Sequence, residues 1–120
     1  FWRPYAPIML EEELQNWFSM PKKSSPYMLF NATLLENKKG QIPSVTHEDN
    51  TARVQTVNKS INNRVYILLQ KFHKRTGVPI LLNTSFNVGG EPIVETPDDA
   101  INTFVNSKID YLVIGNYFVY

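Results

Sequence analysis

The 120-residue sequence has no cysteine, and this absence excludes disulfides, thiolate nucleophiles and thiolate metal ligands from it. No apolar run approaches the ~20 residues that a helix needs to cross a bilayer, and no signal peptide is recognisable. The sequence therefore predicts a cytoplasmic protein without a membrane partner.

An excess of either charge is also absent, since twelve Lys and Arg oppose eleven Asp and Glu for a net charge of +1. The basic residues are spread along the whole chain, which argues against a nucleic-acid partner. A local anion site needs only two or three converging groups and stays open. With 42% hydrophobic and 19% charged residues, the composition indicates one ordinary globular domain.

The sequence begins with Phe1 instead of Met, within an aromatic and proline-punctuated run over residues 1–7. A native start rarely has this composition. We therefore expect the chain to be a piece of a longer protein and its domain to be partial.

The spacing of apolar residues predicts an α/β fold with a twisted mixed sheet and at least three packed helices. The predicted helices cover residues 9–18, residues 62–76 and a segment that begins at Thr96. The predicted strands cover residues 27–35, 53–57, 78–82 and 111–120, the last with a bend at Gly115, and residues 41–45 form a short extended piece.

Two of these helices carry clear end signals. Gly77 follows the helix at 62–76 as a left-handed terminator, and Thr96 and Asp99 are spaced as a capping box. The helix at 62–76 should bury Val65, Leu68, Leu69 and Phe72, and the helix after Thr96 should bury Ile101, Phe104 and Val105.

The clearest candidate site is the polar cluster that directly follows the strand at 78–82. Loops at the carboxyl ends of strands are common ligand sites in α/β sheets. Hydroxyl and amide groups there can orient a phosphate or a small planar carboxyl-like ligand, but on composition alone a β-turn stabilised by Asx and Ser caps is the more common explanation. The residues of this cluster are Asn83, Thr84, Ser85 and Asn87.

A second cluster, over residues 46–55, combines His47 and Asp49 with Arg53. Neighbouring loop residues rarely all face one ion, so we predict no metal site from His47, Glu48 and Asp49. Arg53 suits a bidentate phosphate clamp. An ion pair of Arg53 with Asp49 or Glu48 stays open as the alternative.

Taken in order, six runs resemble the C-terminal domain of the NodU/CmcH-type carbamoyltransferases, and the resemblance spans nearly the whole chain. They are residues 1–7, 25–30, 46–57, 76–87, 91–94 and 96–100. The family's C-terminal domain has a YrdC/Sua5-like fold, so the resemblance implies that fold here.

The resemblance also implies an activity. The domain is expected to bind carbamoyl phosphate and ATP with Mg²⁺, to form carbamoyl-adenylate and to release pyrophosphate. A separate N-terminal, ASKHA-like domain with an iron or other metal site is expected to move the carbamoyl group to a hydroxyl of a small-molecule or sugar acceptor. The family's basic segment upstream of Phe1 lies outside this sequence, so the chain alone is expected to be inactive. A homodimer stays open as its assembly.

By position in the family's motifs, Arg3 and Arg53 are the expected catalytic arginines. The expected substrate-binding residues are Ser85, Asn87, Asn83, Thr84, Thr51, His47 and Asp49. Asn50 stands where the family usually has glycine, and Asn is the side chain that best tolerates left-handed backbone angles.

Two other functions remain as alternatives. A YrdC-type threonylcarbamoyl-adenylate synthase would share the Ser85-x-Asn87 pattern but fits the runs at 51–57 and 90–94 less well. The other is a non-catalytic nucleotide- or RNA-binding module, and the dispersed, near-neutral charge weighs against RNA.

Overall fold

The computed structural model describes residues 4–120, and these form an α/β fold with three α-helices, as the sequence predicts. The chain divides after Thr84 into two compact units. We call residues 4–84 the first unit and residues 85–120 the second unit. None of the helices in the described residues is long and apolar enough to cross a bilayer.

The first unit contains two helices and six strands. They are β1 (Ala6–Leu10), α1 (Leu14–Trp17), β2 (Phe18–Ser19), β3 (Asn31–Leu34), β4 (Thr51–Arg53), β5 (Gln55–Val57), α2 (Asn63–Thr76) and β6 (Ile80–Asn83), with 3-10 turns at Glu11–Glu13, Glu36–Lys38 and Pro43–Val45. The second unit contains α3 (Pro97–Val105), β7 (Leu112–Ile114) and β8 (Tyr117–Val119).

The strands of the first unit form two three-stranded sheets. In the first sheet, β1 lies in the centre, parallel to β5 and antiparallel to β6, which confirms the predicted mixed sheet. In the second sheet, β3 lies antiparallel to both β2 and β4. The second unit has only the antiparallel hairpin of β7 and β8 among its described residues.

A single extended run, residues 51–57, supplies one strand to each sheet of the first unit. Its burial alternates: Ala52, Val54 and Thr56 are buried, and the residues between them are not. Val54 separates β4 from β5 and belongs to a core cluster that includes side chains of both sheets. The two sheets are therefore joined covalently and packed on one core at the same point.

The predicted helix at 9–18 is wrong in its first half. Met9 and Leu10 belong to the central strand β1, and only Leu14–Trp17 is α-helical. Leu10, Leu14 and Trp17 are all buried, so a strand followed by a short helix produces the apolar spacing that had indicated one helix. Pairing of β1 with two neighbouring strands outweighs that local pattern.

The strand predicted at 27–35 is shorter than expected and covers only Asn31–Leu34. Met28 has a φ of +57°, a left-handed angle that extended strands do not contain. The piece predicted to be extended at 41–45 instead contains the 3-10 turn Pro43–Val45.

The helix predicted at 62–76 is confirmed as α2. The Asn62 side chain accepts a hydrogen bond from the Val65 backbone N–H at 3.2 Å, and Gly77 ends the helix at a φ of +76°. Leu69 is fully buried, as predicted, but Leu68 is 55% exposed and that part of the prediction is wrong.

The start of α3 is also confirmed, because Thr96 and Asp99 form the predicted capping box. Its buried face is wrong, since Ala100 and Thr103 are buried whereas Ile101 and Val105 are exposed. The predicted bend at Gly115 is the turn of the hairpin, and Gly115 has a φ of +56° there.

Candidate functional site

A row of polar side chains lies on the less buried side of the extended run 51–57. Thr51, Arg53 and Gln55 alternate with its buried residues, and same-side neighbours on a strand are about 7 Å apart. Across the second sheet, Arg53 is opposite Asn31 and Thr51 is opposite Thr33. Because both β3 residues are exposed, Arg53 stands on an open, polar sheet face.

The Arg53 side chain is exposed and forms no ion pair or hydrogen bond with another residue in the range 4–120. An ion pair in that range joins Lys39 and Glu36 at 2.7 Å. The alternative interpretation of Arg53, an ion pair with Asp49 or Glu48, is therefore not observed. Among the described residues, none of its five guanidinium N–H groups has a partner that would compete with an oxyanion.

The turn before Arg53 is braced by Asp49 and Thr51. Asp49 Oδ1 accepts hydrogen bonds from the Thr51 hydroxyl at 2.7 Å and the Thr51 backbone N–H at 2.9 Å. These bonds, the hydroxyl's first, hold the pKa of Asp49 below its ordinary value. Asn50 has a φ of +62°, so it adopts the left-handed angle expected of it. A substrate-binding role for Asp49 and Thr51 stays a prediction.

His47 is exposed and lines an open cavity of about 280 Å³ together with Thr46, Glu48 and Asn50. Its backbone N–H donates to the Thr51 carbonyl at 2.8 Å, which closes the same turn. Within residues 4–120, no three His, Asp or Glu side chains are grouped so that they could hold a metal ion.

The last residue of β6, Asn83, is joined to Gln55 across the central strand. The two lie opposite Ala6 and Ile8 of β1, and Asn83 Nδ2 donates to Gln55 Oε1 at 2.6 Å. Gln55 was not among the predicted site residues. The alternation at 53–57 could have identified it, since that pattern places Gln55 on the same side as Arg53.

The segment Ser25–Met28 passes beside this pair and is held by it. Gln55 Nε2 donates to the Pro26 carbonyl at 3.0 Å, and Asn83 Nδ2 also approaches Met28 Sδ at 3.7 Å. At the other end of the segment, the Ser25 N–H donates to the hydroxyl of buried Thr56 at 2.8 Å. These contacts fix the backbone around the left-handed Met28.

The remaining predicted site residues lie elsewhere. Thr84 is exposed at the end of the first unit, whereas Ser85 and Asn87 begin the second unit. Asn87 Nδ2 donates to the Glu91 carbonyl at 3.1 Å and so closes the loop around Gly89 and Gly90. Ser85 is exposed.

The last predicted catalytic residue, Arg3, lies outside the described residues.

Comparison with known proteins gives one family and several relatives. A family described as "Carbamoyltransferase C-terminus" matches residues 1–120. The chain is 45% identical to nodulation protein NolNO of Sinorhizobium fredii and 42% identical to nodulation protein NolO of Bradyrhizobium diazoefficiens, each over 98% of this chain. It is 44% identical to nodulation protein U of Rhizobium tropici over 73% of this chain.

The matches cover 18%, 22% and 15% of those three relatives, respectively. This chain thus spans about a fifth of the length of the curated relatives that it matches.

Proposed function

The chain belongs to the family of carbamoyltransferase C-terminal domains, and we propose that it supplies the carbamoyl-activating site of an ATP-dependent O-carbamoyltransferase. In the proposed reaction, hydrolysis of carbamoyl phosphate gives carbamate and phosphate. A carbamate oxygen attacks the α-phosphorus of ATP, which forms carbamoyl-adenylate and releases pyrophosphate. An acceptor hydroxyl then attacks the carbamoyl carbon and AMP leaves.

One observation carries this proposal: Arg53 offers an unpaired, exposed guanidinium on a polar sheet face within the described residues. Carbamoyl phosphate and ATP are both phosphate anions, and a guanidinium binds phosphate oxygens through two parallel hydrogen bonds. A domain with a net charge of +1 can bind such ligands if its cations converge locally.

The chemistry also fits a site without a side-chain nucleophile, because the carbamate itself attacks phosphorus. In phosphoryl chemistry, positioning and charge neutralisation supply most of the catalysis. We propose that Arg53 neutralises phosphate charge and that Ser85 and Asn87 hydrogen-bond phosphate or carbamoyl oxygens. We assign binding of the hydroxyl acceptor and the metal-dependent transfer step to other domains of a full-length protein of the relatives' size.

The test is carbamoyl-phosphate-dependent release of pyrophosphate from ATP by the complete protein that carries this sequence. Arg53→Ala should lower the rate roughly a hundredfold or more, the usual effect of losing one preorganised transition-state contact. Arg53→Lys keeps the charge but loses the planar fork, so it should recover part of the activity. Arg75→Ala removes another exposed arginine, at the end of α2, and is the matched control.

An unchanged rate in Arg53→Ala would show that Arg53 has no part in activation. Release of pyrophosphate with threonine and bicarbonate, but not with carbamoyl phosphate, would favour a threonylcarbamoyl-adenylate synthase instead.

A further inference from the structure

We propose that Asn83 recognises the amino group of the carbamoyl ligand through its side-chain carbonyl oxygen, and that Gln55 positions Asn83 for this task. The inference rests on the proposed function and names the group that selects carbamoyl phosphate over other acyl phosphates. Its basis is the direction of the hydrogen bonds that run through Pro26, Gln55 and Asn83.

That direction is fixed by the backbone carbonyl of Pro26, which can only accept. The Gln55 amide nitrogen must therefore face Pro26, and it lies 3.0 Å from that carbonyl oxygen. Its amide oxygen is then the atom that faces Asn83, so Asn83 must present its NH₂ group, at 2.6 Å. Met28 Sδ, a weak acceptor at 3.7 Å, favours the same orientation of Asn83.

The Asn83 carbonyl oxygen is consequently the group that remains for a ligand. Within residues 4–120 no donor bonds to this oxygen. It is also not a buried atom without a partner, since the atom of that kind in this range is Ser25 Oγ. Asn83 is half-buried at the carboxyl end of β6, so its oxygen can be reached from solvent. The site thus offers an oriented acceptor.

An oriented acceptor beside a cation matches the chemistry of carbamoyl phosphate. Arg53 ends β4 and Gln55 begins β5, and the two flank Val54 on the less buried side of the extended run, where same-side neighbours are about 7 Å apart. In this proposal the phosphate of the ligand binds Arg53 and its amino group donates to the Asn83 carbonyl oxygen. Acetyl phosphate carries a methyl group in place of the amino group, cannot donate there, and would leave the oxygen unpaired.

The experiment is isothermal titration of the complete protein with carbamoyl phosphate, acetyl phosphate and inorganic phosphate. Wild type should bind carbamoyl phosphate roughly 10–100-fold more tightly than acetyl phosphate, the range expected when a site's polar atom is left unpaired. Asn83→Leu should reduce that ratio to about one. Its affinity for inorganic phosphate should stay unchanged, because Arg53 is intact.

Two variants of Gln55 test whether this side chain orients the Asn83 amide or only fills space. Gln55→Met keeps the size of the side chain but releases the Asn83 amide to rotate, so the ratio should fall. Gln55→Glu keeps an acceptor for the Asn83 NH₂ and should preserve the ratio. Its added negative charge should lower the affinity for all three anions alike. If thermal unfolding shows that Asn83→Leu is not folded, the difference in binding ratio between the two Gln55 variants tests the role of Asn83.

The outcomes distinguish this inference from the proposed function. If wild type binds none of the three ligands, the proposed function fails. If wild type prefers carbamoyl phosphate and the preference survives in both Asn83→Leu and Gln55→Met, the role of Asn83 is overturned while the proposed function stands.

Discussion

Polar side chains of the two units are held across different distances in sequence, although the first unit also contains the local pair of Asp49 and Thr51. In the first unit, Asn83 bonds to Gln55 and Gln55 to Pro26, so residues 28 and 29 positions apart in sequence meet. In the second unit, Asn87 bonds to Glu91 four residues away, and Thr96 to Asp99 three residues away. The first arrangement depends on correct sheet pairing, whereas the second needs only local turns.

The cores differ in the same sense. The first unit buries two clusters, which include Met9, Leu14, Phe18 and Leu69. In the second unit Ala100, Thr103 and Leu112 are buried, while large apolar side chains of the hairpin, such as Tyr117 and Phe118, are exposed. A side chain placed by distant pairing needs a well-packed core to hold that pairing, and the first unit has one.

The largest expected effect comes from removing a core contact in the first unit. Leu69→Ala deletes a fully buried side chain between α2 and the first sheet and should lower the free energy of unfolding by about 2–5 kcal/mol. Leu68→Ala, its 55% exposed neighbour, should change it by less than about 0.5 kcal/mol. Urea unfolding measures both. Equal effects would show that α2 packs through a different face.

The next largest effect should be a difference in amide hydrogen exchange between the two units. Amides of β1, which bond to strands on both sides, should exchange at least roughly tenfold more slowly than those of β7 and β8, since a two-stranded hairpin is marginally stable in water. Similar protection in the hairpin and in β1 would contradict the view that the first unit is more stable than the second.

Removing a local device should have a smaller effect. Thr96→Ala deletes the hydroxyl that accepts from the Asp99 N–H and should destabilise α3 by about 1 kcal/mol. Thr96→Ser keeps the hydroxyl and is the control. Helix content followed by circular dichroism during thermal unfolding measures the change, and no difference between the two variants would mean that the cap contributes nothing.

The smallest expected effect is electrostatic. Hydrogen bonds from Thr51 lower the pKa of Asp49, and those with Thr96 lower the pKa of Asp99. Because both folded pKa values lie below the ordinary 3.8, the stabilisation is present above that pH and is lost as pH falls through the folded values. Thr51→Val should raise the pKa of Asp49 alone, as followed by carboxyl NMR titration. A change in the pKa of Asp99 as well would contradict the expectation that the two carboxyl groups titrate independently.

The sequence predicts the local devices well. The capping box at Thr96, the terminator Gly77 and the turn at Gly115 all act between near neighbours, so their spacing alone identifies them. The family resemblance is likewise confirmed, because it rests on long motifs in order.

Features that depend on distant partners could not be predicted in this way. Met9 and Leu10 have helical spacing with Leu14, yet pairing with β5 and β6 makes them a strand. Gln55 carries no local signal of its bond to Asn83, because β1 brings the two together from different parts of the chain. In α3 the buried residues are Ala100 and Thr103, and not the apolar Ile101 and Val105 that its own periodicity indicates.

The extended run 51–57 also bears on how the first unit folds. The first sheet is completed only when β1 meets β5, and the second only when β3 meets β4, and both closures end in this one run. Long-range closures of this kind slow folding. Since Val54 sits in the core between the two strands, we expect both sheets to form and melt in one cooperative transition, in which Arg53 and Gln55 reach their places together.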